Sequence, residues 1–422
     1  MQTQPSLIRL SRPPAPLTGE IALEGSKSIT NRALIALALA GARPADWLTN
    51  MAASKDSETL IGMLAQTDGP YDAGDAGTSF RFMTAYLALR PGKQVLTGSA
   101  RMLERPVGPL VEALRALGAD IRFLGKEGFP PLEIGAISNT GNFVSVAANV
   151  SSQFLSALLL IAPYLPQGLV LQPDGPLVSR PYLEMTLRLM QYFGAAADWQ
   201  GDRLVVQPGG YQPRPLTVEA DWSAASYWYA LAALAPEADL RLRGLQAQSW
   251  QGDAVLADMM ERLGVRTEQG ENEVRVIKTG AAHRSFFEYD FLECPDIAQT
   301  LAVVCAGLGV NGLFSGLETL RIKETDRIGA LKTELAKVGV TFVRLPAQFN
   351  KKAPDKQFYH LNGKADLSSL PRFSTYGDHR MALSFAALSM LGPVEIEHPE
   401  VVGKSYPGFW QHLAQLGFLI ER

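Results

Sequence analysis

Positively charged side chains stand in this sequence where the residue pattern predicts the first turns of helices. They are Lys27, Arg32, Arg81, Arg101, Arg327, Arg380 and Lys404. A cation at that position opposes the helix dipole and should cost stability, so ordinary capping does not explain it. Unpaired backbone N–H groups together with a cation make a good site for a phosphate or a carboxylate. The pattern therefore favours an enzyme that binds small phosphate-bearing molecules over a merely solvated surface.

Carboxylates occur in the same helix openings, at Asp56, Asp296, Glu324 and Asp378. Beside so many cations, each should stay ionised or serve as an acid–base group. For Asp378, helix capping or an ion pair is the simpler interpretation. For Asp296 and Glu324 we prefer a catalytic role, because carboxyls perturbed by neighbouring charges concentrate at active sites.

Other kinds of chemistry have little support. There is no GxxxxGK[ST] phosphate-binding loop, no GxGxxG segment between a strand and a helix, and no metal-ligand spacing among the five histidines. The two cysteines, Cys294 and Cys305, are too few for a disulfide scaffold or a four-cysteine zinc site. Cys294 is a candidate nucleophile beside Asp296, although packing explains it better. We expect neither a metal nor an organic cofactor.

The composition is that of a large globular protein, with 47% hydrophobic and 19% charged residues. A net charge of −3 supplies no broad cationic field, so neither a nucleic acid nor a membrane surface is an expected partner. The first 20 residues lack the apolar core of a signal peptide, and the longest apolar stretches are too short to span a bilayer. These features favour a cytoplasmic location.

Two kinds of helix recur along the chain and predict a repeated α/β layout. The first kind is apolar and rich in small residues, at Asn31–Ala40, Ser79–Leu89, Ser152–Ala162, Ala224–Ala235, Ile297–Gly307 and His379–Met390. The second kind is amphipathic and ends in a glycine suited to the left-handed conformation, at Gly118, Gly194, Gly264, Gly339 and Gly417, with a degenerate first copy at Glu58–Gln66. Short β-branched segments such as Glu273–Ile277 lie between them and predict strands.

The repeats come in six copies, of which the first is short, and six copies suggest two lobes of three. One lobe is predicted to contain residues 1–24 plus 221–422, and the other residues 25–220. A strand at Ile8–Leu10 would then close the first of these lobes, so that the connection between lobes would be double. If the repeats are quasi-symmetric, equivalent helix ends share one face of each lobe, and the cations gather there.

The segments that carry these charges resemble the signature segments of the 5-enolpyruvylshikimate-3-phosphate synthase family. They are GSKSITNR at 25–32, AGTSFR at 76–81, RMLERP at 101–106, VSSQ at 150–153, RIKETDR at 321–327 and DHRM at 378–381. The resemblance runs from about residue 8 to the end, in the family's order. It implies an inside-out α/β barrel fold with two lobes of three βαβαββ units that close on substrate.

The resemblance also implies a reaction, in which the enolpyruvyl group of phosphoenolpyruvate moves to the 5-hydroxyl of shikimate 3-phosphate and phosphate leaves. The hydroxyl loses a proton, the methylene carbon of phosphoenolpyruvate gains one, and a tetrahedral adduct then eliminates phosphate. A single chain acting on two small molecules is the expectation, without metal or cofactor.

By motif position, the resemblance assigns the site residues to three groups. Those implied for shikimate 3-phosphate are Ser28, Arg32, Ser151, Ser152, Gln153, Ser179, Tyr182 and Lys323. Those implied for phosphoenolpyruvate are Lys27, Gly77, Arg101, Arg327, Arg380 and Lys404, with Lys27 contacting both substrates. Asp296 is the implied base at the 5-hydroxyl and Glu324 the implied donor to the methylene carbon, while Lys404 protonates the departing phosphate. How the proton transfers divide among Lys27, Asp296, Glu324 and Lys404 stays open.

This sequence departs from the family's pattern in places. Only about 20 residues separate Asp56 from Ala76, so the first repeat is expected to lack strands. Asp75 stands where asparagine is common, Phe82 where proline or leucine is usual, and Thr319 where asparagine is frequent. The alternatives are the related UDP-N-acetylglucosamine enolpyruvyl transferase, which uses a cysteine in a mobile loop, and a non-catalytic anion-binding protein on the same scaffold. Neither cysteine here lies in such a loop, and the presence of both Asp296 and Glu324 argues against the second alternative.

Overall fold

The protein is described by a computed structural model that covers residues 6–138, 141–147, 151–175, 177–280, 285–346, 348 and 356–422. Val150 of the VSSQ segment and His283 lie outside these residues. The chain forms two compact units, which we call the continuous unit, Gly25–Glu219, and the split unit, Met1–Glu24 with Ala220–Arg422. The division of the structure therefore puts Ala220 in the split unit, one residue away from the boundary drawn from the sequence.

Apolar and amphipathic helices alternate along the chain, as the sequence predicts. In chain order the helices are α1 (Lys27–Leu39), α2 (Lys55–Ala65), α3 (Gly77–Leu87), α4 (Gly108–Ala116), α5 (Ser152–Ile161), α6 (Arg180–Tyr192), α7 (Trp222–Leu234), α8 (Leu256–Glu261), α9 (Ala298–Leu308), α10 (Arg327–Ala336), α11 (His379–Ala386) and α12 (Phe409–Gln415). The odd-numbered helices are the apolar ones. They are buried on nearly every face, and α1, α3 and α5 pack on one another in the continuous unit, as α7, α9 and α11 do in the split unit.

The chain also contains short strands. They are β1 (Leu7–Ser11), β2 (Leu17–Ala22), β3 (Leu48–Thr49), β4 (Tyr71–Asp72), β5 (Lys93–Thr97), β6 (Ala119–Phe123), β7 (Leu132–Ile137), β8 (Phe143–Ala147), β9 (Leu169–Asp174), β10 (Ala197–Gln200), β11 (Arg203–Val206), β12 (Leu216–Thr217), β13 (Ala238–Arg243), β14 (Val265–Gly270), β15 (Glu273–Lys278), β16 (Phe286–Asp290), β17 (Asn311–Ser315), β18 (Thr341–Arg344), β19 (Tyr359–Asn362), β20 (Arg372–Phe373), β21 (Val394–Glu397) and β22 (Leu419–Glu421).

The four-stranded sheets share one topology. Their orders are β4-β5-β7-β6, β10-β11-β9-β8, β14-β15-β13-β2, β16-β17-β19-β18 and β20-β21-β1-β22. In each, two parallel strands lie beside an antiparallel pair, as in β16, β17, β18 and β19. An apolar helix joins the two parallel strands, except for β2 and β13, between which the chain also forms the continuous unit. The arrangement reads βαβαββ, and it confirms the predicted repeat.

The first repeat lacks its final β-hairpin. Its sheet in the described residues consists of β12 parallel to β3 alone, and the chain runs from the end of α2 at Ala65 to β4 at Tyr71. The short spacing after Asp56 therefore has the predicted consequence, which is a loss of strands at one sheet while the helices α1, α2 and α3 remain.

Strands from the N-terminus complete sheets of the split unit. β1 pairs with β21 and β22, as expected for Ile8–Leu10, and β2 pairs with β13. The chain thus passes between the two units twice, near residues 24 and 219. None of the helices among the described residues combines the length and the apolar character needed to cross a membrane.

The helix ends lie where the glycines predict them, but two predicted helix starts are wrong. All five glycines predicted to end amphipathic helices have positive φ. However, α4 begins at Gly108 and not beside Pro106, and α12 begins at Phe409, so Lys404 ends the 3₁₀-helix Pro399–Lys404 and does not open α12. A residue before proline avoids the α conformation, which interrupts the helix at Pro106 and again at Pro407.

Candidate active site

Arg32 of α1 forms a buried polar cluster with residues of α5 and α6. Its guanidinium donates to Thr186 Oγ1 at 2.7 Å, to Ser156 Oγ at 3.1 Å and to the carbonyl of Ser28 at 2.9 Å. It also lies near the carbonyl and ring of Tyr182. Burial lowers the pKa of Arg32 to about 10, so the side chain stays charged at neutral pH. Ser28, Arg32 and Tyr182, which the sequence predicts to act together, are therefore brought together.

The start of α3 is the second feature of the continuous unit. Ala76 holds the capping position and cannot cap with its side chain, which leaves the first backbone N–H groups of the helix without that partner. Gln153 Nε2 donates to Thr78 Oγ1 at 3.0 Å, and Arg81 donates to the carbonyl of Gly77 at 2.9 Å. We call this feature the Gly77 helix end.

Arg105 covers the Gly77 helix end. A Cβ atom built on Gly77 would lie 2.6 Å from Arg105 Cζ, so the guanidinium rests directly on the glycine. The residue is only 6% exposed, and its Nε is buried without a hydrogen-bond partner. Arg101, by contrast, has a 43% exposed side chain and forms an ion pair with Glu104 at 2.8 Å. Sequence reasoning singled out Arg101 and missed Arg105, although Arg105 stands in the same segment, directly before Pro106.

Lys27, the first residue of α1, pairs with Asp56 of α2 at 3.1 Å, and both side chains are largely buried. Ser79 of α3 donates to the carbonyl of Asp56 at 2.9 Å, which ties this pair to the first turn of α3. Together with Arg32 and Arg105, the pair leaves a clear excess of positive charge among these buried groups of the continuous unit.

The remaining predicted residues of the continuous unit open helices. Ser151 caps α5, its hydroxyl accepting from the backbone of Gln153, and Ser152 is buried in the first turn. Ser179 precedes α6 in a left-handed conformation with φ of 58°, and its side chain makes no capping bond. A serine held in that strained conformation fits a functional position better than a structural one.

The split unit gathers its predicted residues around Arg327, the first residue of α10. The guanidinium donates to Asp378 at 2.7 Å, to Glu324 at 2.8 Å and to Asp296 at 3.1 Å, and the side chain is 2% exposed. Asp378 also accepts from the backbone of Arg380, so it caps α11 and forms an ion pair, as the sequence suggests. We call this group, with Arg380, Lys323 and Lys404, the carboxylate cluster.

Asp296 receives three cations. Arg380 lies at 3.0 Å, Arg327 at 3.1 Å and Lys323 at 3.6 Å from its carboxylate oxygens. Burial alone would raise the pKa of Asp296, but these cations outweigh it and hold the pKa well below its usual range. Burial lowers the pKa of Lys323, with Asp296 acting in the opposite direction. Asp296 is therefore an ionised carboxylate, available to accept a proton once a ligand draws the cations away.

Glu324 lies between Arg327 and Lys404. Its second oxygen is 3.6 Å from Lys404 Nζ, and both of these side chains are 13% exposed. Although Lys404 is the last residue of a 3₁₀-helix and does not open α12, its side chain reaches the carboxylate cluster. Glu324, an acid–base candidate, therefore has Arg327 at one carboxylate oxygen and Lys404 near the other.

Asp253 is linked to Arg380 through the hydroxyl of Ser223, and the sequence did not single it out. Its carboxylate accepts from Ser223 Oγ, and Ser223 is also within 3.4 Å of Arg380. Burial, together with the nearby charge of Asp296, raises the pKa of Asp253 to about 7.

The cysteines show no sign of a nucleophile. Cys294 and Cys305 are free and buried, and burial raises the pKa of both thiols. No group of three or more histidine, cysteine, aspartate or glutamate side chains suited to a metal occurs in the part of the chain that the structure describes.

Comparisons with known proteins show the family of the chain. The sequence model of EPSP synthase (3-phosphoshikimate 1-carboxyvinyltransferase) matches residues 11–68 and 62–413. The chain is 45% identical over 413 residues to the 3-phosphoshikimate 1-carboxyvinyltransferase of Bacteroides fragilis strain YCH46, covering 97% of each. The chain belongs to the EPSP synthase family. The enzyme of the same name from Neisseria meningitidis serogroup B is 36% identical over 425 residues, covering 94% of this chain and 95% of that protein.

EPSP synthase from Acinetobacter baumannii shares the fold, with a TM-score of 0.73 at 20% identity, over 99% of this chain and 100% of that one. The likeness confirms the predicted fold class. The two stretches matched by the EPSP synthase family overlap at residues 62–68, beside the point where the first repeat lacks its hairpin. The missing strands therefore interrupt the family match without removing any of its charged segments.

Proposed function

We propose that this protein transfers the enolpyruvyl group of phosphoenolpyruvate to the 5-hydroxyl of shikimate 3-phosphate, releasing phosphate. The observation that carries the proposal is the carboxylate cluster, in which Asp296 and Glu324 share Arg327 while further cations face each of them. Such a cluster supplies both acid–base groups and anion-binding groups, as an addition–elimination between two anionic molecules requires.

The two units differ in the net charge of their buried groups, and this difference supports a different role for each unit in the reaction. The buried groups of the continuous unit carry excess positive charge, which suits the dianionic phosphate of shikimate 3-phosphate. We assign that substrate to Ser28, Arg32, Ser151, Ser152, Gln153, Ser179 and Tyr182, with Lys323 of the split unit. In the carboxylate cluster the four cations are largely balanced by Asp296, Glu324 and Asp378, which suits proton transfer rather than simple charge neutralisation.

Phosphoenolpyruvate is assigned to Lys27, Gly77, Arg101, Arg327, Arg380 and Lys404. Its carboxylate and phosphate would compete with Asp296 and Glu324 for the donors of Arg327 and Arg380. When Glu324 loses its share of Arg327 and faces an anion instead, its protonated form is favoured. Ligand binding thus prepares Glu324 to give a proton to the methylene carbon.

Ligand binding favours the protonated form of Asp296 in the same way. Three cations suppress its basicity in the free protein, and anionic substrates that engage those cations restore it. Asp296 then takes the proton of the 5-hydroxyl as the new C–O bond forms. In the second step the C–O bond to phosphate breaks, Glu324 recovers its proton from the methyl group, and Lys404 protonates the phosphate.

The enzyme is proposed to act as a monomer in the cytoplasm, without metal, organic cofactor, nucleic acid or membrane. The net charge of −3 supports the absence of a nucleic-acid partner. The buried state of Cys294 and Cys305 disfavours the cysteine-dependent UDP-N-acetylglucosamine transferase, and the ion-paired acid–base groups disfavour a protein that only binds anions.

Phosphate release tests the proposal. Protein mixed with phosphoenolpyruvate and shikimate 3-phosphate should release phosphate in proportion to the acceptor, and neither substrate alone should support release. Asp296→Asn should abolish turnover while keeping the volume of the side chain. Release with UDP-N-acetylglucosamine in place of shikimate 3-phosphate, or none with either acceptor, would reject the proposed function.

A further inference from the structure

We propose that Asp253 positions Arg380 through the hydroxyl of Ser223, so that the guanidinium keeps its place when an anionic substrate separates it from the carboxylate of Asp296. Asp253 and Ser223 are then positioning residues, since neither is assigned a contact with a substrate. The inference rests on the proposed function, in which Arg380 binds phosphoenolpyruvate, and it adds two residues that act on that contact.

A chain of hydrogen bonds links the three side chains within the split unit. Ser223, in the first turn of α7, donates its hydroxyl proton to the carboxylate of Asp253, and its oxygen lies 3.4 Å from Arg380 Nη2. A serine hydroxyl has a single proton to give. Because that proton goes to Asp253, the oxygen accepts from the guanidinium, and the chain runs in one direction, from Arg380 through Ser223 to Asp253.

The burial of Asp253 is costly, and its hydrogen bond indicates what the cost serves. The side chain is 4% exposed, one carboxylate oxygen has no hydrogen-bond partner among the described residues, and the other accepts from Ser223. A carboxylate buried with so little compensation destabilises a fold, whereas an apolar side chain of similar size does not. Proteins keep such groups chiefly at functional sites. The hydrogen bond to Ser223 leads to Arg380, so we place the function of Asp253 there.

The other contacts of Arg380 show when this support matters. Nη2 donates to the carboxylate of Asp296 at 3.0 Å and, at the longer distance of 3.4 Å, to Ser223 Oγ. Nη1 donates to the backbone carbonyl of Asp296 at 2.9 Å and lies 3.4 Å from the hydroxyl of Tyr227. When a substrate anion replaces the Asp296 carboxylate, Ser223 remains as an acceptor for Nη2, and that contact should shorten.

The charge of Asp253 strengthens this contact. A hydroxyl whose proton is held by a carboxylate is a better acceptor, because hydrogen bonds in a chain polarise one another. Asp253 therefore holds Nη2 of Arg380 more firmly through Ser223 than an isolated hydroxyl could. The result is an arginine that stays oriented towards phosphoenolpyruvate while Asp296 is released to act as the base.

Matched variants of Ser223 test the first link of the chain. Ser223→Val removes the hydroxyl, and Ser223→Thr, of nearly the same size, keeps it. Loss of a hydrogen bond to a charged group should lower kcat/KM for phosphoenolpyruvate about 5- to 50-fold in Ser223→Val, mainly through KM. Ser223→Thr should recover activity to within about threefold of wild type. In both variants KM for shikimate 3-phosphate should change less than about threefold, because Arg380 is assigned to the other substrate.

Asp253→Leu tests the second link, because it removes the acceptor and the buried charge together. This variant should melt at the wild-type temperature or above it and still lose about 5- to 50-fold in kcat/KM for phosphoenolpyruvate. A merely structural residue would lose activity and stability together. In a Ser223→Val background, Asp253→Leu should change kcat/KM less than about threefold, since Asp253 acts through the hydroxyl. Asp258→Asn, which removes an exposed carboxylate from α8, is the control for charge.

Three results would overturn the proposal. Ser223→Val and Ser223→Thr could have equal kinetics, so that the hydroxyl has no role. The effects of Ser223→Val and Asp253→Leu could be additive, so that Asp253 does not act through Ser223. Asp253→Leu could fail to fold or melt well below wild type, which would make Asp253 a structural residue.

Thermal stabilisation by phosphoenolpyruvate separates this inference from the proposed function. If the wild-type protein shows no turnover, the proposed function has failed. Stabilisation of the wild type by phosphoenolpyruvate that is reduced in Ser223→Val and restored in Ser223→Thr would then still support the positioning of Arg380. No stabilisation of the wild type, or equal stabilisation of all three proteins, would reject it.

Discussion

Asp253→Asn should stabilise the protein in a pH-dependent way. Asp253 is 4% exposed, one of its carboxylate oxygens has no hydrogen-bond partner among the described residues, and the other accepts from Ser223. Burial and the charge of Asp296 raise the pKa from its ordinary 3.8 to about 7. Between pH 3.8 and about 7, the folded protein therefore keeps a proton on Asp253 that the unfolded chain has already lost.

The sign and size follow from proton linkage. Because the folded state binds more protons than the unfolded state between pH 3.8 and about 7, the free energy of unfolding falls as pH rises through this window. Each pH unit is worth about 1.4 kcal/mol, and a difference of about three units gives roughly 4 kcal/mol. This loss of stability is absent below pH 3.8 and reaches its full size above about pH 7. The uncharged amide of Asp253→Asn avoids it.

Urea unfolding followed by tryptophan fluorescence measures this effect. Four of the six tryptophans lie in the split unit with Asp253, so most of them report on the unfolding of that unit; they are Trp222, Trp228, Trp250 and Trp410. The stability gain of Asp253→Asn should grow from pH 5 to about pH 7 and level off towards pH 8. Asp258→Asn, which removes an exposed carboxylate from α8, controls for the change in charge. A gain that is constant across this range, or a loss at pH 8, would refute the reasoning.

Three further outcomes are expected. Glu324→Gln should retain binding of shikimate 3-phosphate in calorimetry and lose turnover by about 10²- to 10⁴-fold, because the amide cannot supply the proton; near-normal turnover would transfer that role to Lys27 or Lys404. Cys294→Ala should keep kcat near that of wild type in the phosphate-release assay, since a thiol that is 1% exposed cannot meet substrate; loss of kcat without loss of folding would contradict this. Exhaustive chelation should leave turnover unchanged, and activity lost on chelation and restored by a divalent ion would show a metal requirement.

Features set by local sequence were predictable. Helix ends at Gly118 or Gly339 follow from the left-handed conformation that glycine adopts readily, and the missing hairpin after α2 follows from chain length alone. The gathering of Asp296, Glu324 and Arg327 could be anticipated because all three stand at helix openings that the repeat places on one face of a lobe. These predictions needed only spacing and residue type.

Features set by tertiary burial were not predictable. Arg101 and Arg105 stand four residues apart in one segment, and only the fold shows that one is exposed beside Glu104 while the other is buried on Gly77. Asp253 was similar, because its pKa is raised by its burial and by Asp296, which is distant in sequence. Lys404 reaches Glu324 from an element that the sequence did not indicate, since Pro407 delays the start of α12.

The measurement that tests the central claim most directly is the mass of the product formed in deuterated water. Addition of a proton to the methylene carbon makes a transient methyl group, and its later loss of a proton leaves solvent hydrogen in the product. Enolpyruvyl shikimate 3-phosphate made by this protein from phosphoenolpyruvate and shikimate 3-phosphate should therefore contain deuterium in its vinyl group, and Glu324→Gln should form almost none of it. Product without deuterium would contradict addition–elimination, and absence of product would contradict the function itself.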